Sequence, residues 1–171
     1  ANRLFQRPAA DITPLGIARQ DFGRNRIDPI EPPAAVIPER AFAQALGPEA
    51  APAGAAAVIQ VRPEPADGPR MLVSRFHGDA VSAGIAAALC DGEGMPVSSA
   101  VKFGLIAAGE ADLHVRCGAT MEWDVAAGEA VLAAAGGVVR TLAGAVTAYG
   151  CSERAFRNPP FVAAGSEELA A

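Results

Sequence analysis

From Ala57 onward, apolar residues come in short blocks separated by glycine, proline and charge. The blocks "AVIQVR" and "RMLVSR" are rich in Val, Ile and Leu and too short for helices, which predicts buried strands. "GDAVSAGIAAALC" and "AVKFGLIAAGE" are longer and built from helix formers, so each predicts a helix. "ADLHVR" alternates, with Leu113 and Val115 on one face, and predicts a strand after the second of these helices. "EWDVAAGEAVLAAAGG" predicts a third helix whose apolar stripe is Trp123, Ala126, Ala127, Ala130, Val131 and Ala134. Gly136 and Gly137 supply its C-terminal stop. "VVRTL" and "PPFVAAG" predict two further strands. Strands alternating with helices bury their apolar faces against one another, and the expected class is a layered α/β sandwich.

Residues 1–57 show a different pattern. Proline and alanine dominate, as in "DPIEPPAAVIPERAF" and "LGPEAAPAGAAA". Proline interrupts both ladders and helices, so this segment predicts loops with one short helix over Glu39–Leu46. The expected organisation is an N-terminal Pro/Ala-rich segment, 1–57, followed by one α/β domain, 58–171. No repeat of fixed period is present.

Composition narrows the function classes. A chain of 171 residues suits about one domain with a real core. A net charge of −5 argues against binding a nucleic-acid polymer, which needs a basic face, so any bound anion must be held locally. Cys90, Cys117 and Cys151 are widely spaced, make no C-x-x-C pair and leave one over in any disulfide scheme, which predicts reduced thiols. With His77 and His114 they lack the spacing of a zinc site. No apolar run reaches a membrane span, and "ANRLFQRPAADITP" lacks the apolar core of a signal peptide; the expectation is a cytoplasmic protein.

The single tryptophan stands directly before an acid, in "TMEWDVAAG". Asp124 falls in the first turn of the third helix, where a carboxylate is favoured by the helix dipole. One reading is a charge that only stabilises the helix. The other is a ligand for a hard cation such as Mg²⁺, with Ala126, Ala127 and Gly128 letting a phosphate approach the free N–H groups and Trp123 packed beneath.

"WDVAAGEAVLAAAGG" resembles the C-terminal signature of the inositol monophosphatase superfamily, in which the Asp of W-D-x-A-A-G holds metal. "GEADLHVRCGATMEWD" is similar to the G-x-A-D-L-Y-x-R-x-G-x-T-M-E-W-D segment of bacterial 3′(2′),5′-bisphosphate nucleotidases. "MLVSRFHGD", "SSAVKFGLIAAGE" and "FRNPPFVAAG" occur in the same order as that group's S-R-S-H, G-S-S-L-K-F and N-P-x-F-V-A elements. Ordered matches from about Val61 to Gly165 are far more specific than a lone W-D pair. The resemblance implies the C-terminal half of the sugar-phosphatase fold and Mg²⁺-dependent hydrolysis of a small phosphorylated nucleotide such as 3′-phosphoadenosine 5′-phosphate, the metal neutralising phosphoryl charge while water attacks. It further implies that Asp124 is catalytic and holds metal. Ser74, Arg75, His77, Ser99 and Lys102 would line the phosphate pocket, and Glu110 and Arg116 would sit near the substrate or brace the site.

Departures from the pattern bear on that implication. Phe76 interrupts S-R-S-H, His114 replaces the usual Tyr, and Ser98-Ser99-Ala100-Val101-Lys102 stands where the group has G-S-S-L-K. Upstream, the string nearest to the family's D-P-[IL]-D-G-T metal motif is "DPIEPP", with Asp28 and Glu31 but two prolines in place of Gly-Thr, and no E-E pair precedes it. Proline donates no N–H and restricts its predecessor, so the same loop is not expected from that string. Three readings stand: a phosphatase represented by its C-terminal half or by a divergent short version, a non-catalytic remnant that binds a nucleotide or other anion, and a scaffold domain. Inositol monophosphate remains an alternative substrate. With half the family's architecture missing, an exposed sheet edge is expected, to be covered by a partner such as a second copy or blunted by charge.

Overall fold

A computed structural model describes residues 40–46, 51–62, 68–90 and 94–171. The strands and helices are β1 (Ala41–Leu46), β2 (Pro52–Ile59), β3 (Met71–Ser74), α1 (Ala80–Leu89), β4 (Met95–Val97), α2 (Val101–Ala107), β5 (Leu113–Arg116), α3 (Glu122–Ala134), β6 (Val138–Thr141), β7 (Phe161–Ala164) and α4 (Glu167–Ala170). A 3₁₀ turn covers Ser152–Arg154.

The main sheet has the order β4-β3-β5-β7-β6. β3 lies parallel to both β4 and β5, whereas β7 runs antiparallel to β5 and β6. All residues of β5 and β7 are buried, because helices cover both faces of the sheet. On one face Leu72, Phe103, Ile106, Val125, Leu132 and Phe161 form a core between the sheet and α2 and α3. On the other, Met71, Ala86, Leu113, Val115 and Val162 pack with Leu169 under α1 and α4. This is the expected α/β layering, with β4 and β6 as the edges of the main sheet.

α1 starts where Asp79 caps it, its carboxylate accepting from the Ser82 amide at 2.8 Å and the Ser82 hydroxyl at 2.7 Å. α3 starts where Asp124 reaches back to accept from the Met121 amide at 2.9 Å.

The buried face of α3 differs from the expected stripe. Glu122, Val125 and Leu132 point inward, while Trp123, Ala127, Ala130 and Val131 are exposed and Ala126 and Ala134 half-buried. Trp123 and Val131 are left outside, and the inward face lies one residue away from the expected stripe, since Val125 and Leu132 pack into the core with Phe103 and Phe161. Between them, Gly128 lets α2 approach: a Cβ there would lie 2.5 Å from the Phe103 ring.

The helix expected over Glu39–Leu46 is also replaced. Residues 41–46 form β1, antiparallel to β2 with an irregularity between Ala43 and Ala45. An alanine-rich stretch has little strand propensity of its own, and pairing with a neighbour decides its conformation. β2 runs through residues 57 and 58, across the expected boundary between the Pro/Ala-rich segment and the domain. Ala41 joins the core beside α3, while Phe42, Leu46 and Val58 are exposed on the hairpin.

Candidate functional site

The C-terminal ends of the parallel strands β3, β4 and β5 converge on one concavity of about 740 Å³. Strands ending side by side leave their loops and the following helix starts facing a common space, the usual position of a ligand site in α/β folds. The loop after β3 brings Ser74, Arg75, Phe76 and His77; the loop after β4 and the start of α2 bring Ser98, Ser99 and Lys102; and the start of α3 brings Trp123 and Asp124. The expected site residues of the S-R-F-H, S-S-A-V-K and W-D strings therefore do meet. Glu110 does not: it is exposed in the turn after α2 and takes no part in the lining.

Arg116, at the end of β5, is buried and reaches across the loops. Its guanidinium donates to Gly118 O at 3.2 Å, Ser74 Oγ at 3.1 Å, Ala119 O at 3.3 Å and the His77 carbonyl. Four acceptors of this chain thus take up most of the five N–H donors of an arginine, which makes Arg116 a brace rather than a ligand contact.

Lys102 is buried on the first turn of α2 and donates from Nζ to Ser99 O at 2.9 Å and Val97 O at 3.4 Å. An ammonium has three donors, so one remains for a pocket ligand. Burial, and secondarily the Arg116 charge, lower its pKa from the ordinary lysine value. Ser99 is held at φ 58° at the pocket mouth, a conformation disfavoured for a side-chain-bearing residue. Arg75 is exposed and has one guanidinium N–H on Pro96 O at 3.0 Å, leaving the rest of its fork open.

His114 lies at the floor, 2% exposed, with Nδ1 2.9 Å from Leu72 O. A carbonyl only accepts, so Nδ1 carries the proton. Burial first, with the Lys102 and Arg116 charges, lowers its pKa to about 4, against the opposing effect of the Leu72 bond. The imidazole is neutral at physiological pH.

Trp123 does not pack beneath Asp124. It is 66% exposed, with its ring centroid 6.2 Å from that of Phe156. Asp124 is exposed as well and already accepts from Met121. Asp124 caps its helix and is an acid lining the pocket.

Several supports were not read from sequence. Asp79 binds the Gly118 amide at 2.9 Å as well as Ser82; burial raises its pKa, but these hydrogen bonds and the Arg116 charge outweigh it and hold the carboxyl below its ordinary value. Asp112, in the A-D-L string, is paired with Arg62 and accepts from the Arg70 amide at 2.6 Å, tying the segment after β2 to β5. Glu122 accepts from the Gly150 and Cys151 amides at 2.6 and 3.1 Å. Asn158 donates to Met121 O at 2.8 Å and Thr120 Oγ1 at 3.2 Å. The T-M-E-W-D and F-R-N-P strings, distant in sequence, are one clamp. The only available signal was an acid or amide inside a motif otherwise rich in site residues.

Mg²⁺ needs several oxygen ligands in near-octahedral array. Among the described residues Asp124 is the one carboxylate lining the pocket, and no group of three His, Cys, Asp or Glu side chains is placed to hold a metal. These residues alone do not fit the ion. Asp28 and Glu31 lie outside the described residues.

The sequence profile of the inositol monophosphatase family matches residues 73–171. The chain belongs to this family. It is 40% identical over 108 residues to the 3′(2′),5′-bisphosphate nucleotidase CysQ of Shigella flexneri, covering 63% of this chain and 43% of that protein. To CysQ of Escherichia coli K12 it is 41% identical over 103 residues, covering 60% of this chain and 41% of the relative. The chain thus spans less than half the length of these nucleotidases. Among solved structures, CysQ from Bacteroides thetaiotaomicron superposes with a TM-score of 0.52 at 31% identity, covering 61% of this chain and 40% of that one. An inositol monophosphatase from Zymomonas mobilis superposes with a TM-score of 0.51 at 22% identity, covering 66% and 44%, and supports the fold alone. Among the described residues no helix is long and apolar enough to cross a membrane.

Proposed function

We propose that this member of the inositol monophosphatase family serves as the substrate-binding part of a phosphomonoesterase that removes the 3′(2′)-phosphate from 3′(2′),5′-bisphosphate nucleotides. One observation carries the reading: in a chain of net charge −5, Arg75, Lys102 and Arg116 line a single pocket against one carboxylate among the described residues, Asp124. That local excess of positive charge suits an anion, which an acidic chain must hold locally if it binds one. The resemblance to CysQ proteins in two organisms supports a nucleotide over an inositol ester.

The chemistry rests on donors. Lys102 offers its remaining N–H as a point charge and Arg75 a planar fork suited to two phosphate oxygens. Ser99 and His77 add polar groups at the mouth. Arg116 keeps Ser74 and the His77 main chain in register, so these groups are positioned before the anion arrives, which lowers the ordering cost of binding. Magnesium dependence belongs to the proposal, with oxygen ligands beyond those of the described residues; a bound Mg²⁺ would neutralise phosphoryl charge. Cys90, Cys117 and Cys151 are free thiols, which suits a cytoplasmic setting.

The deciding experiment is phosphate release from 3′-phosphoadenosine 5′-phosphate, with and without Mg²⁺, beside Asp124→Ala. Turnover that requires both the ion and the aspartate supports the hydrolase. That Asp124 is the one pocket carboxylate among the described residues favours one second reading, nucleotide binding without hydrolysis; tight binding with no turnover under any condition would select it.

A further inference from the structure

Phe76 is 74% exposed, an unusual state for a phenylalanine, yet it lines the same pocket as Lys102 and Arg75. Trp123, on the separate element α3, lines that pocket too and is nearly as exposed. Exposed aromatic rings leave apolar faces in water, which is unfavourable unless a ligand covers them. The rest of the wall carries Lys102 and Arg75 beside apolar Val97, Phe103 and Phe161, so the arrangement suits a ligand that is anionic at one end and flat and apolar at the other.

The Trp123 ring has an aromatic neighbour. Phe156 contacts it from a loop in which Ala155 and Phe156 both adopt positive φ, 50° and 57°. Such a loop is costly for non-glycine residues and persists only when its surroundings fix it. Glu122 does so: its carboxylate binds the Gly150 and Cys151 amides, and its own amide donates to Phe156 O at 2.9 Å. The neighbouring residue of α3 therefore anchors the loop that backs Trp123.

We propose that Phe76 and Trp123 form an aromatic rim that selects phosphate esters carrying a heteroaromatic base. This rests on the phosphate-site reading above and specifies which residues discriminate a nucleotide from an inositol or sugar phosphate. Lys102 and Arg75 hold the phosphate, and the base lies against the rim, where stacking tolerates any base because every base has a π face.

The test is binding to the full chain of 3′-phosphoadenosine 5′-phosphate and of two base-free esters, ribose 5-phosphate and myo-inositol 1-phosphate. Titration calorimetry is read beside the emission of Trp123, the single tryptophan. The expected result is quenching by the nucleotide alone. Phe76→Ala should weaken nucleotide binding by about tenfold while leaving the base-free esters unchanged. Phe76→Tyr should restore it and Phe76→Leu should not, since Leu matches the bulk but lacks the π face. Because Phe76 is largely exposed, these variants leave the core intact. If Phe76→Ala changes all three ligands equally, or none, the rim is overturned and the phosphate site stands. If the unaltered chain binds none of them, both readings fall.

Discussion

Arg116 donates to Ser74 Oγ at 3.1 Å across the ends of two neighbouring strands, 42 residues apart in the chain. The same guanidinium binds the His77 carbonyl and two carbonyls of the loop that precedes α3. One side chain on β5 therefore sets the positions of the loops that carry the ligand groups, and its loss should disable the pocket without removing a direct ligand contact.

Arg116→Ala is expected to lower stability by about 2–3 kcal/mol, because carbonyl and hydroxyl acceptors are left buried without a donor. It should also reduce phosphate binding. Arg116→Lys should recover little, since three donors cannot occupy four diverging acceptors. Urea unfolding alongside titration with inorganic phosphate checks both effects.

The buried His114 predicts an acid limb in stability. Its pKa in the folded chain is about 4, below the unfolded value of 6.5. Above pH 6.5 both states are neutral there and the group contributes no pH dependence. As pH falls from 6.5 towards 4, the unfolded chain takes up a proton that the folded chain does not, so stability declines by about 3 kcal/mol in total. His114→Gln, which can still donate to Leu72 O, should flatten this limb. Unfolding free energies measured between pH 4 and pH 8 on both proteins give the comparison.

Gly128→Ala should destabilise by about 1–3 kcal/mol although alanine is the better helix former by about 1 kcal/mol. The added Cβ meets the Phe103 ring at 2.5 Å, and that ring is itself stacked on Phe161 with centroids 6.2 Å apart. A stabilised variant in urea unfolding would mean that α2 and α3 are not packed this closely.

Glu122→Gln removes the charge that holds the Gly150 and Cys151 amides and exchanges one acceptor oxygen for a donor. A loss of about 1–2 kcal/mol is expected. Trp123 emission should shift to the red at the same time, since the loop carrying Phe156 loosens and the indole becomes wetter. Loss of stability with unchanged emission would separate the clamp from the tryptophan.

What the sequence by itself determined was local or ordered along the chain. The apolar blocks "MLVS" and "FVAA" announced strands, since a sheet covered on both faces favours apolar runs, whereas "LHVR" was legible by its alternation and has His114 and Arg116 buried as well. Asp124 in the first turn of α3 was legible from the helix predicted over "EWDVAAGEAVLAAAGG", and the resemblance carried by the ordered strings around Lys102, His77 and Asp124 implied one pocket. Tertiary structure decided everything that depends on partners distant in sequence. Residues 41–46 became a strand because β2 is there to pair with, which alanine-rich local propensity does not specify. Trp123 turned outward because Val125 and Leu132, on the other side of α3, are the residues that pack into the core with Phe103 and Phe161. Arg116 became a brace, Asp112 and Glu122 became anchors, and Glu110 was left in solvent, because a charged side chain takes its role from the acceptors or donors that the fold brings within about 3 Å of it.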